Sequence, residues 1–486
     1  MSPRPTAFLG VDIGSTELRT GLVTVDGRLL GLERARHAMD VEPGRGHAEQ
    51  DAGAWWTGLV HCVRALVARV DVDVAGIAVD GHGPTLTPVD RLGRPTRRAI
   101  TWLDQRARRD EDELSRQTGL RGWALGILPA ARWVGRHEPE VEARTSWYLN
   151  SWEALTLRLT REARTSLAAD QSWPSGDTLA ALGLPVTRFA PPIAAGEVAG
   201  TLHRAAAGAL GLPAGTPVVA GLVDAFASFH GAGMLRAGDA IDVGGSAGGF
   251  GVYWDLPVQA AGSFTTPAPL AGHYVVGGAM AALGRSVEWL RDLAYGRDGS
   301  IEVMLDEASG VAPGADGLLF LPYLAGERSP IWDPDARGAF VGLTLRHGRA
   351  DLARAVLEAT ALALRHVAEP ILAGGVRVGV MRVAGGPARS DAWNQIKADI
   401  SGFPVEVPRI LETAVTGAAI VAATGTGAHP NLSAAIAGMT AIERRLEPNA
   451  DHREIYDKAY AAYVSLHPAI APVLRQLRPR AAVAVS

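Results

Sequence analysis

The sequence predicts an α/β protein of two related domains with a cleft between them, and three observations carry that expectation. The chain has 486 residues, more than one hydrophobic core normally organises. Two segments, VDIGSTELRTGLVTV near the N-terminus and DAIDVGGSAGGFGVYWD from Asp239, each read as strand, glycine turn and strand. After each opening, helical and strand patterns alternate along the chain.

Residues 7–13 and 18–26 are short runs rich in β-branched side chains, and Asp26-Gly27 is a hairpin signal leading to a third run at 28–35. Trp55, Trp56, Leu59, Val60, Val63, Leu66 and Val67 recur at helical spacing ahead of a buried-strand candidate, AGIAVD, at 75–80. Helices are expected around 105–117 and 141–160, and 186–201 reads as a Pro/Gly-rich connection. The apolar run 217–223 is a strand candidate, followed by Asp224 and a helix over 225–233. In the second half, strands at 273–277 and 381–384 alternate with helices at 284–295, 351–368, 391–402 and 413–424. Helices at 431–444 and 451–476 are expected to close the chain.

Composition excludes several function classes. With 47% hydrophobic and 20% charged residues and a net charge of -4, the chain reads as soluble and globular, without the basic surface that nucleic acid requires. The single cysteine, Cys62, excludes a disulfide framework within the chain and any multi-cysteine zinc site, as expected in the reducing cytosol. It lies in an amphipathic stretch and reads as core. No apolar h-region opens the chain and no later run approaches about 18 apolar residues, so no membrane association and a cytoplasmic location are expected. The only lysines, Lys397 and Lys458, are each followed by alanine, which rules out a Gly-Lys-Ser/Thr phosphate loop. A nucleotide would have to be held by backbone amides, hydroxyls and arginine.

Four constellations point to chemistry. Asp12-Ile13-Gly14-Ser15-Thr16-Glu17-Leu18-Arg19 forms the tip of the opening hairpin. Its turn offers N–H groups and hydroxyls to an anion, with an acid able to hold the waters of a divalent cation. Gly244-Gly245-Ser246-Ala247-Gly248-Gly249 is the corresponding turn of the second half, where glycine allows close backbone approach. Ala384-Gly385-Gly386-Pro387-Ala388-Arg389-Ser390 joins a strand to a helix, a corner that α/β sheets use for ligands. Asp224, between the apolar strand and its helix, suits the carboxylate that phosphoryl transfer needs near an attacking hydroxyl, although a lone carboxylate there is also an ordinary N-cap.

These segments together resemble the FGGY family of carbohydrate kinases, in the superfamily of hexokinase, actin and Hsp70. The similarity runs from about residue 7 to 427 and is most specific at Gly338-Ala339-Phe340-Val341-Gly342-Leu343 and the following Asp351–Glu358 segment, DLARAVLE. FLPYLAGERSPIWDPDARGAF (320–340), AITWLDQRA (99–107) and PVVAGLVDA (217–225) are also similar to the family's segments. The resemblance implies two actin-like, ribonuclease H-like domains with an interdomain catalytic cleft. Residues 1–236 would bind sugar and carry the first phosphate loop, and 237–486 would bind nucleotide and end in helices.

The resemblance also implies roles. Asp224 matches the catalytic aspartate, and Trp102 and His82 fall at the substrate. Asp12, Gly14, Ser15, Thr16 and Arg19 match the first phosphate motif; Gly244, Gly245 and Ser246 the second; Gly284 a glycine near the nucleotide; Gly385, Gly386 and Ser390 the adenosine motif. ATP and Mg²⁺ are implied, the metal held by Asp12 and Asp224 through water, with a homodimer as the common assembly. The implied substrate is a ketopentose, xylulose or ribulose, with polyols of the erythritol or glycerol type next, and a sugar-sensing protein as the non-enzymatic alternative. Four departures bear on specificity and nucleotide handling. His82-Gly83-Pro84-Thr85 stands where xylulokinases read Gln-Met-His-Gly, and Ala225 replaces the amide beside the catalytic aspartate. Gly245 replaces a threonine, and Pro387 stands where glycine or alanine is common.

Overall fold

The expected β-meander is the seed of the first half. In the computed structural model, which describes residues 4–42, 44–168, 171 and 173–477, Thr6–Ile13, Glu17–Thr24 and Leu29–Arg36 pair antiparallel in succession. The Gly27 N–H donates to the Thr24 carbonyl at 2.9 Å, and its φ of +73° is a conformation glycine adopts without a Cβ penalty.

The chain divides into two compact units. One comprises 1–235, 268–271 and 412–441; the other comprises 236–267, 272–411 and 442–486. Residues 412–441 join the first unit through packing between segments distant in the chain.

In the first unit a six-stranded sheet runs in the order Val198–Thr201, Pro217–Val219, Asp73–Gly81, Thr6–Ile13, Glu17–Thr24, Leu29–Arg36. Thr6–Ile13, Asp73–Gly81 and Pro217–Val219 are mutually parallel, so their C-terminal ends share one edge. Helix Ala52–Arg69 buries Trp55, Leu59, Cys62, Val63 and Leu66 against the sheet, and Asp51 caps its start by accepting the Gly53 N–H at 2.8 Å. Helix Thr413–Gly425 also packs on this sheet and lies backbone to backbone with helix Asp224–Gly231. A Cβ on Gly231 would fall 1.9 Å from the Thr413 carbonyl oxygen, and one on Gly417 1.9 Å from that of Ala227. Those two glycines allow the approach that fixes the helix beginning at Asp224.

The second unit repeats the plan. Its seven-stranded sheet runs Phe264–Pro267, Tyr274–Ala279, Gly249–Trp254, Asp239–Asp242, Val380–Val383, Val405–Pro408, Ile442–Leu446. Asp239–Asp242 is antiparallel to Gly249–Trp254 and parallel to Val380–Val383, as Thr6–Ile13 is to its two neighbours. The long helix Arg349–Ala373 is buried along most of its length, and the C-terminal helix Arg453–Gln476 anchors to it where Arg354 donates to the Tyr456 hydroxyl at 2.7 Å.

Three expectations are corrected. The helix expected over 141–160 is Pro139–Arg144, a strand Trp147–Leu149 and a new helix Ser151–Thr160. The strand pairs with Thr87–Val89, and the Asn150 N–H donates to Glu153 at 2.7 Å to restart the helix. The helix expected over 431–444 stops at Met439, and Ile442–Leu446 joins the sheet beside Val405–Pro408. The connection at 186–201 contains two short strands, Pro192–Ala194 and Val198–Thr201. Among the described residues, no helix is long and apolar enough to cross a membrane.

Candidate active site

Three carboxylates gather where the three parallel strands of the first unit end. Asp12 lies near the end of Thr6–Ile13 and pairs in register with Asp80 of Asp73–Gly81. Asp224 follows Pro217–Val219 through a short link in which Val223 bridges to Gly81. The C-terminal edge of parallel strands is where α/β sheets present functional groups, because side chains from neighbouring strands converge there.

Asp224 opens helix Asp224–Gly231, and its Oδ1 accepts the Ala225 N–H at 2.7 Å. Burial first, and then the charge of Asp12, push its carboxyl up to about 7, against the opposing pull of that N–H and of Arg19. Burial followed by Asp12 also holds the Asp80 carboxyl well above the usual carboxylate range. Arg19, opposite Asp12 in the antiparallel register, places Nη2 at 2.9 Å from Asp12 Oδ2 and is held above its ordinary value chiefly by that partner. This contact is an ion pair, and the Asp80 and Asp12 carboxyl groups hydrogen-bond to each other.

The first glycine turn is tight. The Gly14 N–H donates to the Glu17 carbonyl at 3.0 Å. The Ser15 carbonyl accepts from Gln50 Nε2 at 2.5 Å, and the Thr16 carbonyl from the His37 N–H at 3.0 Å. With these carbonyls tied inward, the turn carries the half-buried Ser15 and the exposed Thr16 at its tip.

His82 is buried at 2% exposure, and both ring nitrogens are engaged. Nδ1 lies 2.8 Å from Thr85 Oγ1 and Nε2 2.8 Å from Gln50 Oε1. Burial pushes the imidazole down to about 3, so the ring is neutral. It therefore orients Gln50 and Thr85 and has no ring nitrogen left over for a ligand. Trp102 is half-buried on a braced turn. Thr101 donates its N–H to the Ala48 carbonyl at 3.0 Å, while Asp104 Oδ2 accepts the Ala48 N–H at 2.7 Å and Oδ1 accepts the Arg106 N–H at 2.9 Å.

The second unit carries the other glycine loops. Gly244, Gly245 and Gly248 all have positive φ, and a Cβ on Gly244 would lie 2.3 Å from the Ala384 carbonyl oxygen. The loop is stapled to the start of helix Leu283–Ala294, with Ser246 and Ala247 carbonyls accepting from Arg285 and Leu283 N–H groups at 3.0 and 2.8 Å. Gly284 sits so close that a Cβ would fall 2.2 Å from the Gly245 carbonyl. Added Cβ atoms on Gly245 or Gly386 would instead meet nothing within 4 Å. That open space above the backbone suits a phosphate-bearing ligand. Ser390 caps helix Asp391–Ser401, its Oγ accepting the Trp393 N–H at 3.2 Å. Gly244, Gly245, Gly284, Pro387, Trp393 and Lys397 line one depression.

For a divalent cation, the relevant observation is the cluster of acidic oxygens: Asp12, Asp80 and Asp224 lie within electrostatic reach of one another beside the Arg19 guanidinium. Among the described residues, no three or more acidic, imidazole or thiol groups are arranged to ligate a metal directly. The residues therefore fit an octahedral ion that keeps its waters and takes oxygens from its ligand.

Asp80, Gln50, Thr85, Asp242 and Lys397 escaped the sequence reading. Asp80 left a signal, since AGIAVD ends on an acid near a strand terminus, as AFLGVDI nearly does. Lys397 left another, as one of two lysines and within an apolar helical stretch. Gln50 and Thr85 left none, because only tertiary packing brings them to His82.

Comparison with known proteins agrees with the geometry. The N-terminal domain of the FGGY family of carbohydrate kinases matches residues 7–231, and its C-terminal domain matches residues 243–426. The chain is 29% identical over 487 residues to a xylulose kinase of Staphylococcus epidermidis, covering 94% of this chain and 96% of that protein. It is 31% identical over 422 residues to the xylulose kinase of Escherichia coli K12, covering 81% and 85%. The crystal structure of xylulose kinase from Rhodospirillum rubrum superposes with a TM-score of 0.82 at 28% identity, over 96% of this chain and all of that one. The expected two-domain, actin-like α/β fold is thus the observed one, and the chain belongs to the FGGY family of carbohydrate kinases, enzymes that transfer phosphate to sugars.

Proposed function

We propose that the protein is an ATP-dependent kinase of a ketopentose, xylulose first among them, in which Asp224 takes the proton of the attacking hydroxyl. The observation that carries this reading is the convergence of Asp12, Asp80 and Asp224 on one sheet edge, with the Asp224 carboxyl raised to about 7. A general base with a pKa near the working pH combines a useful ionised fraction with useful basicity.

The sugar packs its C–H face on Trp102 and polar groups bind its hydroxyls, while His82 holds Gln50 and Thr85 in place. The N–H groups of Ser15 and Thr16, with Arg19, and those of Gly245 and Ser246 bind phosphate oxygens, the Gly14 and Gly244 N–H groups being held by Glu17 and Asp242, and the 385–390 corner receives adenosine. Pro387 contributes no N–H there. As the sugar oxygen attacks the γ-phosphorus, its proton passes to Asp224, the bond from phosphorus to the bridging oxygen breaks, and ADP leaves. Magnesium, bound with the nucleotide, supplies neutralisation of phosphate charge, and Asp12 and Asp224 would hold its waters. A positioned carboxylate base contributes about 10²–10⁴-fold to such a step.

ATP consumption measured across a panel of ketoses and small polyols tests the reading. Turnover with xylulose is the expected outcome. Turnover only with a polyol would overturn the substrate assignment, and no turnover with any member would favour a sugar-sensing protein.

A further inference from the structure

Helix Asp391–Ser401 grips both glycine loops of the second unit from one face. Asn394 Nδ2 donates to the Ala388 carbonyl at 2.9 Å, tying the helix to the 385–390 corner. One turn later Lys397 Nζ lies 2.6 Å from Asp242 Oδ2. The other oxygen of the same carboxylate, Asp242 Oδ1, accepts the Gly244 N–H at 3.1 Å, the first amide of the 244–248 loop. Lys397 is 2% exposed and Asp242 4%, so this is a buried ion pair, with the ammonium also 4.9 Å from the Trp393 ring centre. Trp393 is itself fixed by donating Nε1–H to Thr360 Oγ1 at 2.9 Å. Asp242 occupies in its sheet the place Asp12 occupies in the other: penultimate or last in the first meander strand, in register with a parallel neighbour.

A buried ion pair is weak as a source of net stability, because desolvation of both charges offsets their attraction. Its value here is geometric. A carboxylate with one oxygen pinned by an ammonium has a fixed orientation, and the amide it accepts is then fixed too. We infer that Lys397 is a positioning residue that sets the 244–248 loop through Asp242, and so governs affinity for the phosphates of the nucleotide without touching them. This rests on the reading of 244–246 as a phosphate loop.

The test is steady-state kinetics with separate KM values for ATP and sugar. Lys397→Met removes the charge at nearly constant shape. It is expected to raise KM for ATP by about 10-fold to 100-fold, since small misplacements of binding groups have effects of this size, while KM for the sugar stays at the wild-type value. The double variant Asp242→Asn with Lys397→Met keeps an oxygen for the Gly244 N–H and buries no charge but has lost the ammonium that pins it; it is expected to recover only part of the lost ATP affinity. Asp242→Leu with Lys397→Met, also charge-free but lacking the acceptor, is expected not to recover it. If Lys397→Met fails to fold, the two double variants alone decide, and equal KM values for ATP between them would overturn the inference. So would a folded Lys397→Met protein with wild-type KM for ATP, or one in which both KM values rise together. Ser246→Asp is the control for the underlying reading. If a carboxylate on the loop leaves KM for ATP unchanged, the phosphate-loop assignment has failed; if it raises KM while Lys397→Met does not, only the tether has failed.

Discussion

Asp12 and Asp80 stand in register on neighbouring parallel strands, both buried, and their carboxyl groups hydrogen-bond to each other. Arg19 supplies a close positive charge, at 2.9 Å from Asp12. Two adjacent buried carboxyl groups make a site that folding must stabilise elsewhere, as binding sites commonly require.

Replacing Asp80 should therefore stabilise the protein. Its carboxyl is held well above the ordinary 3.8 by burial and Asp12, so the folded state binds the proton more tightly than the unfolded chain. The favourable contribution is full below 3.8 and is lost as pH rises through the folded value. Without magnesium, Asp80→Asn is expected to gain about 1–2 kcal/mol near neutral pH, or about 2–4 °C in melting temperature. The gain should shrink as pH is lowered, which thermal melts across the range would reveal.

The pH dependence of turnover follows from Asp224. With its carboxyl at about 7, the ionised base is depleted below that value. On the sugar side, kcat/KM should fall about tenfold per unit of pH on the acid limb and level off above about 7. A plateau continuing far into the acid range would contradict the assigned base.

His82 gives a third expectation. Its substitution by alanine leaves Gln50 Oε1 and Thr85 Oγ1 without their buried partner, a loss of about 1–3 kcal/mol. Because the folded ring is depressed to about 3 from 6.5, its contribution is complete above 6.5 and declines as pH falls through the folded value. Melting curves of wild type and His82→Ala should thus converge toward acid pH. In kinetics, KM for the sugar should rise while KM for ATP holds.

Much of this architecture was legible in the residues, and the failures share a cause. Periodicity and the Asp26-Gly27 turn revealed the opening meander, and the two glycine turns revealed the repeated plan. Asp12 and Asp224 drew attention because each borders an apolar strand. Asp80 borders one too, but its significance lies in the parallel register that sets it beside Asp12, and register is a long-range property. The strand Ile442–Leu446 looked helical because its partner, Val405–Pro408, lies far back in the chain. The same distance hid the packing of Thr413–Gly425 against the helix that starts at Asp224, and the pairing of Lys397 with Asp242. His82 drew attention only through the family resemblance, whereas the engagement of both its nitrogens depends on Gln50, from the distant strand His47–Gln50.

The most direct test of the account is the turnover of Asp224→Asn with xylulose and ATP, alongside its affinity for ADP. The amide keeps the size of the side chain and loses the basicity. The account predicts a fall in kcat of about 10²–10⁴-fold with ADP binding still measurable; a variant that turns over at nearly the wild-type rate would contradict it.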